Sequence, residues 1–327
     1  MQSWWMQLDA QGARLEQRDV AVPQPGPRQL LVHVRAASLN RGEFVSGHGL
    51  HGAPGSWKAI GGECAGEVAA VGSEPDAFRV GDRVMGRCAG AFAEYALLDV
   101  AEAMAVPATL SWQEAASIPL TWLVSFDMLV LQGGLKAGDW LLVNGVSSGV
   151  GVASLQMGLA LGAQVIGTST SEAKLERLKP LGLVHGLCTR AADFAPRVLE
   201  LTGGHGADLV VNAVGGSVFA EDIRCMAFEG RLATVGYVDG VLHADLDLQA
   251  LHAKRLKLFG VSNKLRSKEQ KAAAVPRFVA EILPRFASGA LRPLVDEVVD
   301  FTRLPQAKAR MESGGHVGKI VLEVAVR

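Results

Sequence analysis

Apolar and polar residues follow one another along residues 139–170 in a way that predicts a strand, a turn, a helix and a second strand. Residues 140–143 are an apolar run of strand length, and residues 145–151 are rich in Gly and Ser. Apolar residues then recur at helical spacing up to Gly162. Unpaired N–H groups at a helix start attract phosphate, and small residues leave room for it. The stretch therefore predicts the unit that binds the pyrophosphate of a dinucleotide.

The alternation of strand and helix continues to residue 262. The pattern predicts helices at residues 172–181, 193–201, 219–228 and 248–253, and strands at residues 184–189, 208–214, 231–236 and 257–262. Together with the two strands of residues 139–170 these are six strands alternating with helices, which is typical of a doubly wound parallel sheet. Val198, Leu201 and the run 209–211 are predicted to lie in its core.

Residues 1–117 have a different pattern, in which short apolar segments are separated by Gly and Pro. It predicts strands at residues 29–37, 64–72 and 92–98, and a turn followed by a strand at residues 81–86. Many short strands of this kind favour a compact β-barrel. Ser111 and Glu114 then have the spacing of a capping box, which begins a helix that ends near Pro119. A second helix is expected at about residues 122–131.

The last part of the chain, residues 263–327, contains a predicted amphipathic helix at about residues 268–287 and a final strand at residues 319–324. We expect this strand to return to the first domain. The nucleotide-binding domain, residues 119–262, would then be inserted in a discontinuous domain made of residues 1–118 and 263–327.

Composition and charge exclude several function classes. The formal net charge of −1 gives no electrostatic case for binding nucleic acid or an anionic membrane. The four cysteines are scattered, which is typical of reduced thiols and not of a metal site. No apolar stretch approaches the ~20 residues of a membrane span, and the first residues lack a signal-peptide pattern. We therefore expect a cytoplasmic protein with no nucleic-acid or membrane partner.

Several motifs follow one another in a characteristic order. They are AASLNRGEF at 36–44, GGECAGEVAAVG at 61–72, VGDRVMG at 80–86, AFAEYALL at 91–98, PLTW at 119–122, SSGVG at 147–151, ADLVVNAVGG at 207–216, GRLATVG at 230–236 and HVGKIVLEV at 316–324. Together they resemble the medium-chain dehydrogenase/reductase superfamily, most closely its zinc-independent quinone oxidoreductase (zeta-crystallin-like) branch. The resemblance implies an α/β fold in which a doubly wound Rossmann domain that binds NADP(H) is inserted in a GroES-like β-barrel catalytic domain.

The same resemblance indicates that no metal is bound. Zinc members of the superfamily have Cys where this chain has Asn40 and His where it has Gly62. Neither an amide nor a glycine is a zinc ligand. The cysteine cluster of the structural zinc lobe is also missing between Cys88 and Cys188. His48 and His51 could suggest a metal, but we interpret them as loop histidines.

The end of the second Rossmann strand favours NADP(H) over NAD. An NAD site usually places a carboxylate on the ribose about 20 residues past the glycines. Residues 167–171 contain none, and Lys174 follows. Hydroxyl groups and a lysine suit a 2′-phosphate. The alternative is that Lys174 lies only on the solvent face of its helix. At the end of the third strand the family often has a tyrosine, and this chain has Thr189 followed by Arg190. Arg190 either replaces the tyrosine or is only solvated.

The resemblance assigns further cofactor contacts by position, mainly at the phosphate-binding turn and at the carboxyl ends of the strands. The predicted cofactor-binding residues are Asn144, Ser147, Ser148, Gly149, Val150, Gly151, Thr168, Ser169, Thr170, Lys174, Arg190, Val214, Gly215, Gly236, Tyr237, Val238, Phe259, Gly260, Val261, Asn263 and Lys319. For Lys319, packing at the start of a strand is the alternative. The glycine fingerprint is incomplete, because Val146 and Ser148 replace its first two glycines.

Without zinc, the expected chemistry is hydride transfer from NADPH to an electron-poor quinone or α,β-unsaturated carbonyl. The negative charge that develops on an oxygen needs a donor. Asn40 and Thr121 are the candidates by position. The alternatives are structural, with Asn40 as a turn amide and Thr121 as a helix cap. The family often has another tyrosine a few residues after this asparagine, and Phe44 stands there in this chain. This leaves water as the candidate proton source.

Other functions remain open from the sequence. An enoyl-thioester reductase and an alcohol or aldehyde dehydrogenase would have the same fold. A non-catalytic NADPH-binding protein, in a crystallin-like or sensor role, is the alternative from another class. The resemblance also implies a homodimer in which the edge strand at residues 257–262 pairs with its copy.

Overall fold

A six-stranded parallel sheet forms the core of residues 124–262, as the alternating pattern predicts. The computed structural model describes residues 1–9, 12–44, 55–74 and 78–325. The chain divides into two units, one of Val124–Ser262 and one of Met1–Leu123 with Asn263–Arg327. His48 and His51 lie outside the described residues.

The described residues of the first part of the chain form eight strands and two α-helices. They are β1 (Gln2–Asp9), β2 (Gly12–Asp19), β3 (Gln29–Ser38), β4 (Trp57–Ala59), β5 (Glu63–Val71), β6 (Arg83–Arg87), β7 (Tyr95–Asp99), β8 (Met104–Ala105), α1 (Trp112–Ala116) and α2 (Pro119–Phe126). The predicted capping box at the start of α1 is confirmed, since Ser111 and Glu114 each bind the other's backbone N–H.

The alternating part of the chain follows. Its elements are β9 (Trp140–Asn144), α3 (Gly149–Ala160), β10 (Gln164–Ser169), α4 (Glu172–Glu176), β11 (His185–Cys188), α5 (Ala195–Leu201), β12 (Ala207–Asn212), α6 (Phe219–Cys225), β13 (Met226–Thr234), α7 (Leu248–Ala253) and β14 (Lys257–Gly260). The last segment contains α8 (Lys268–Ala272), α9 (Val275–Glu281), α10 (Leu283–Ala287), β15 (Val295–Asp300), α11 (Leu304–Glu312) and β16 (Lys319–Glu323).

The parallel sheet has the strand order β11-β10-β9-β12-β13-β14, so its first strand in the chain, β9, lies in the middle. Ile166, Leu142, Val210 and Leu232 stand side by side on four neighbouring strands and are fully buried. The strand order reverses direction between β9 and β12. In open parallel sheets, ligands bind in the crevice at such a switch point, outside the carboxyl ends of the strands.

The other unit contains a seven-stranded sheet in which β15, β16, β3, β5, β6 and β8 are neighbours in that order and β7 pairs with β3. β1 joins β2 and β4 in a separate three-stranded sheet. The prediction that the last strand returns to the first domain is confirmed, because β16 pairs with β3. The two segments of this unit therefore share one sheet. No helix in the described ranges is long and apolar enough to cross a membrane.

Prolines explain the main differences between predicted and observed helices. The single helix expected at residues 268–287 is wrong, because Pro276 and Pro284 each stand in the first turn of a new helix, α9 and α10. Pro119 likewise begins α2, three residues before the predicted helix at 122–131. α2 continues directly into a π-helical segment, Asp127–Gln132.

β13 also differs from its prediction. It begins at Met226, five residues before the predicted start at residue 231, and the predicted helix at 219–228 ends at Cys225. The pairing of β12 with β13 shifts register between Ala207 and Leu209, and Glu229 in the bulged stretch has a φ of 58°. The start of β13 therefore contains polar and turn-forming residues inside an irregular strand. The hydrophobic pattern does not reveal a strand of this kind.

Candidate functional site

The turn after β9 forms an open cradle at the start of α3. Ser148 is the N-cap residue of this 12-residue helix, and its hydroxyl oxygen accepts a hydrogen bond from the Gly151 N–H at 3.0 Å. Among the described residues, the N–H groups of Gly149 and Val150 have no acceptor, as expected in the first turn of a helix. These groups can donate to a phosphate, and the helix dipole favours its charge.

Two glycines keep this cradle tight. A Cβ atom at Gly151 would lie 2.3 Å from the Gly145 carbonyl oxygen, so only glycine fits where α3 meets the turn. A Cβ atom at Gly167 in β10 would lie 2.8 Å from the Val146 side chain, which is fully buried. Val146 therefore fills space that a glycine on the neighbouring strand leaves free. The valine can replace the first fingerprint glycine because its side chain lies inside the fold.

The carboxyl end of β10 presents a carboxylate-free edge at residues 167–171. Thr168 and Ser169 are buried, and Thr168 Oγ1 donates to Asn144 Oδ1 at 2.9 Å. Their hydroxyl groups support the strand end from within. Thr170, by contrast, is exposed.

Two cationic residues lie near this edge. Arg190 is exposed after β11, and its Nε donates to the Thr170 carbonyl oxygen at 3.4 Å. Lys174 is half-buried on α4, and its backbone N–H donates to the Ser171 carbonyl oxygen at 3.2 Å. The structure thus brings the predicted residues Thr170 and Arg190 together and holds Lys174 one turn away. The ends of β10 and β11 form a surface suited to a phosphate group.

The loops after β12 and β13 are joined by backbone hydrogen bonds. The Asp239 N–H donates to the Val214 carbonyl oxygen at 3.0 Å. Gly215 has a φ of 131°, and a Cβ atom there would lie 2.0 Å from Asp239 Oδ1, so the position needs glycine. Tyr237 and Val238 are exposed beside them. These loops lie at the carboxyl ends of the strands, where a dinucleotide would bind.

The remaining predicted contacts of the parallel sheet lie on its edge strand. Phe259 and Gly260 pair with Ala233 and Thr234 of β13, and Val261 behind them is buried. Asn263 belongs to the other unit, where its Oδ1 accepts from Arg266 at 3.4 Å. The open N–H groups, the glycine approaches and the cationic edge of this sheet fit a nicotinamide dinucleotide.

The second cluster surrounds the buried carboxylate of Glu63, at the start of β5. Its Oε1 accepts hydrogen bonds from Ser38 Oγ at 2.6 Å, from Asn40 Nδ2 at 2.8 Å and from Lys319 Nζ at 3.0 Å. Its Oε2 accepts from the Leu120 N–H at 2.6 Å. The end of β3, the start of β16 and the start of α2 thus meet at one carboxylate.

Lys319 uses all of its donors inside this cluster. Besides Glu63, its ammonium binds the Leu39 carbonyl oxygen at 2.8 Å and Asn40 Oδ1 at 2.7 Å. A lysine has three N–H groups, so none is left for another acceptor. This favours the alternative in which Lys319 packs at the start of a strand. Its role is to fix Asn40 and Glu63.

Asn40 is held at both ends of its amide. Lys319 binds its oxygen and Glu63 accepts from its nitrogen, whereas its other contacts through the same nitrogen, to Ser38 O and Glu43 Oε1, are long at 3.5 and 3.4 Å. The amide orientation is therefore fixed, and its second N–H makes only the two long contacts.

Thr121 and Phe44 are more deeply placed. Thr121 is buried, and its hydroxyl donates to the Ser117 carbonyl oxygen one helical turn earlier at 3.0 Å. Its single proton is thus already used, which favours a structural role over an oxyanion donor, although Thr121 lies within α2 and not at the expected cap position. Phe44 is buried and stacks on Phe92, with ring centroids 6.4 Å apart.

The side chains at the positions of the zinc ligands do not fit a metal. A Cβ atom at Gly62 would lie 2.7 Å from Glu43 Oε1, so the present packing leaves no room for a ligating side chain at position 62. The other carboxylate, Glu63, is already bound by an ammonium. In the described parts of the chain, no three His, Cys, Asp or Glu side chains are grouped to hold a metal ion.

Sequence patterns missed several residues of these clusters. Glu43 and Glu63 are buried carboxyl groups beside Asn40, and Asp222 is a buried carboxyl group beside Asn144. Glu43 could have been found, since it follows Asn40 at capping-box spacing. Glu63 and Asp222 give no such signal, because their partners are distant in the chain.

Two family models match the chain. One, described as alcohol dehydrogenase GroES-like domain, matches residues 26–108, and the other, described as zinc-binding dehydrogenase, matches residues 149–279. A curated relative, a phenolphthiocerol/phthiocerol polyketide synthase protein of Mycobacterium tuberculosis, is 33% identical over 322 residues, or 98% of this chain. The chain spans only 15% of the length of that relative.

Similar solved structures cover 99% of this chain and 100% of their own. An NAD-dependent alcohol dehydrogenase is 30% identical with a TM-score of 0.84, and a mycobacterial protein complexed with NADPH is 28% identical with a TM-score of 0.87. A quinone oxidoreductase of Pseudomonas syringae is 28% identical with a TM-score of 0.85, and the CurK enoyl reductase is 25% identical with a TM-score of 0.86.

The buried carboxyl group of Glu43 should make the stability of the fold depend on pH. Burial raises the pKa of its carboxyl from 4.5 to about 7, against the opposing effects of the Asn40 hydrogen bonds and the Lys319 charge. The folded pKa lies above the unfolded one, so this group stabilises the fold fully below pH 4.5. That stability is lost as the pH rises toward 7.

We predict that Glu43→Gln removes this pH dependence, because glutamine keeps a neutral acceptor for the Asn40 N–H. Between pH 5 and pH 8, the free energy of unfolding in urea should fall by about 2 kcal/mol more in the wild type than in the variant. Glu172→Gln, at an exposed position, is the matched control and should behave as the wild type. An identical pH dependence of the free energy of unfolding in wild type and E43Q would contradict the raised pKa of Glu43.

Proposed function

The chain belongs to the medium-chain dehydrogenase/reductase superfamily of nicotinamide-dependent oxidoreductases, and we propose that it transfers hydride from NADPH to a quinone or an α,β-unsaturated carbonyl without zinc. The observation that carries the proposal is the cluster of Asn40, Glu63 and Lys319, in which an amide at the position of a metal ligand is bound by an ammonium. Without a Lewis acid, the acceptor must be activated by its own conjugation.

NADPH is favoured by the end of β10. A carboxylate there would repel a 2′-phosphate, and residues 167–171 contain none. The exposed guanidinium of Arg190 binds the backbone of Thr170, and Lys174 follows on α4. A structurally similar protein was solved with NADPH, although another is described as NAD-dependent. The cationic groups at this edge support NADPH for this chain.

Asn40 is the residue that we assign to the developing negative charge. When bound, NADPH supplies the hydride. The Asn40 N–H that makes only the long contacts to Ser38 and Glu43 can donate instead to the acceptor oxygen of the substrate. Lys319 binds the Asn40 oxygen and Glu63 binds its other N–H, so the amide presents a donor and not an acceptor. Water remains the proposed proton source.

An enoyl thioester is the second candidate substrate. It has the same conjugated double bond as an enone, so the same hydride transfer would reduce it. Two relatives favour it, a polyketide synthase that contains a segment similar to this chain and the CurK enoyl reductase. A panel that contains quinones, simple enones and enoyl thioesters distinguishes the candidates.

We predict that the purified protein oxidises NADPH faster than NADH with at least one quinone, enone or enoyl thioester, without added metal. Steady-state absorbance of the cofactor measures this, with aldehydes as a matched set of unconjugated acceptors. A chelator should leave the rate unchanged. Loss of activity with the chelator, or reduction of aldehydes only, would contradict the proposal. Tight NADPH binding without turnover of any acceptor would favour the non-catalytic alternative.

The cofactor preference has its own test at Lys174. We expect Lys174→Ala to raise the KM for NADPH by about tenfold and to leave the KM for NADH nearly unchanged, since only NADPH carries the 2′-phosphate. Lys268→Ala, at an exposed position on α8, is the control and should change neither value. Equal increases for both cofactors would show that Lys174 does not recognise the phosphate.

We also propose a homodimer through the edge strand β14. In the described part of the chain, β14 pairs with β13 alone, and the side chain of Leu258 on it is 37% exposed. An apolar strand with a free edge tends to pair with another strand, and a second copy offers an identical one.

For the dimer, we predict that Leu258→Lys weakens self-association about tenfold or more, because a charged side chain blocks an edge strand. Sedimentation velocity at micromolar concentration should give twice the 34.5 kDa mass for the wild type and less for the variant. Val279→Lys on α9 is the control, since that residue is also 37% exposed. A monomeric wild type would end the proposal.

A further inference from the structure

The carboxyl ends of the two central strands of the parallel sheet are joined by a polar row. Asn144 is the last residue of β9 and Asn212 the last of β12, and the two stand directly opposite each other in the ladder. Both are buried. β9 and β12 are also the strands between which the strand order reverses, so this pair lies at the switch point of the sheet.

One carboxylate bridges the pair. Asp222 projects from α6 and is fully buried, with Oδ1 accepting from Asn144 Nδ2 and Oδ2 accepting from Asn212 Nδ2 at 2.9 Å. A carboxylate accepts on both oxygens, so it can hold two amide donors at once. Neither an asparagine nor an apolar side chain can do the same without a change in its partners.

Both asparagines pass this constraint to the edge of the sheet. The Asn212 oxygen accepts from the N–H groups of Val214 at 3.0 Å and Gly215 at 2.8 Å, and its nitrogen also donates to the Gly215 carbonyl oxygen at 3.0 Å. The Asn144 oxygen accepts from the Thr168 hydroxyl. The loop after β12 and the end of β10 are therefore tied to Asp222 through one side chain each.

We propose that Asp222 is a positioning residue of the dinucleotide site, which fixes the ends of β9 and β12 and the loop at residues 213–215. The inference rests on the proposed function, because it concerns the edge where the cofactor would bind. Asp222 itself does not reach that edge, since it acts through Asn144 and Asn212.

The cost of burying this carboxylate supports a specific role. Burial raises the pKa of Asp222 well above its ordinary value, and the neighbouring Glu221 adds to that, whereas the two amides oppose it. An apolar residue would avoid this cost. The carboxylate is useful here because it is the small acceptor that binds both asparagines in their present orientation.

The hydrogen bonds also predict which substitution of Asp222 disturbs the loop more. Asp222→Asn offers one acceptor and one donor. Asn212 cannot turn its amide without losing the two N–H groups of the loop, but Asn144 can, because the Thr168 hydroxyl can accept as well as donate. D222N should therefore keep most of the geometry. Asp222→Ala loses both bonds and should release the loop.

The test compares the wild type with D222N and D222A. We expect D222A to raise the NADPH dissociation constant about tenfold or more in a fluorescence titration, and D222N to stay within about threefold of the wild type. In the cofactor-free protein, hydrogen exchange of the segment containing Val214 and Gly215 should quicken about tenfold or more in D222A. Binding and exchange both close to wild type in D222A would overturn the proposal.

Glu221→Gln is the matched control. Glu221 is the buried neighbour of Asp222 on α6, but its carboxylate accepts from the Ala195 N–H at the start of α5. E221Q can lower the free energy of unfolding and should leave NADPH binding and loop exchange unchanged. The same changes in E221Q as in D222A would overturn the proposal, because they would reflect general loosening of α6.

If D222A does not fold, the positioning role of Asp222 can be tested by exchanging the carboxylate and the amide between positions 144 and 222. At pH 8, Asn144→Asp alone places a second carboxylate against Asp222 and should weaken NADPH binding about tenfold or more. In the double variant with D222N, the carboxylate introduced at position 144 can accept from Thr168 and from the new amide, which in turn accepts from Asn212. Binding should then recover. Failure of this rescue would overturn the proposal.

The outcome for the proposed function remains separate. If the wild type bound neither NADPH nor NADH, the proposed function would fail. The exchange measurement on the cofactor-free protein would still decide whether Asp222 holds the loop.

Discussion

The buried carboxylate of Glu63 is the constraint around which the larger unit is assembled. Removing a carboxylate from water costs free energy unless charged or polar partners hydrogen-bond it. Its cation, Lys319, lies 256 positions away in the chain and comes from β16, the strand between β15 and β3. Asn40 binds the same two groups. The strand that returns to the first part of the chain therefore also fixes the orientation of Asn40, the candidate donor.

The nucleotide-binding unit solves a related problem differently. Its buried carboxylate, Asp222, is held by two amides and stands next to another acidic residue. An ammonium can neutralise a carboxylate, whereas an amide can only orient it. The first arrangement suits the proposed role of Asn40, which needs its amide to be held firmly. The second arrangement suits strand ends that are kept in register beside the proposed dinucleotide site.

Much of the parallel sheet could be predicted, because its strands are apolar runs separated by helical periodicity. The helices of residues 268–287 could not, since Pro276 and Pro284 interrupt a continuous amphipathic pattern. The prediction also omits β1 and β2, although β2 alternates exposed and half-buried residues as a half-buried strand does. At the site, local motifs indicate the phosphate turn. They do not reveal Glu63 with Lys319 or Asp222 with Asn144, because each partnership depends on packing between distant segments.

The pairing of Val146 with Gly167 changes how the glycine fingerprint should be compared between relatives. Val146 lies in the turn after β9 and its side chain packs against Gly167 of β10, so the volume that one gains is the volume that the other gives up. The fingerprint of this chain is thus distributed over β9, its turn and β10. A position-by-position comparison scores Val146 as a defect, whereas a comparison across the sheet finds the missing glycine one strand away. Engineering of the cradle should treat the two positions as one volume, since restoring glycine at 146 alone would leave a void.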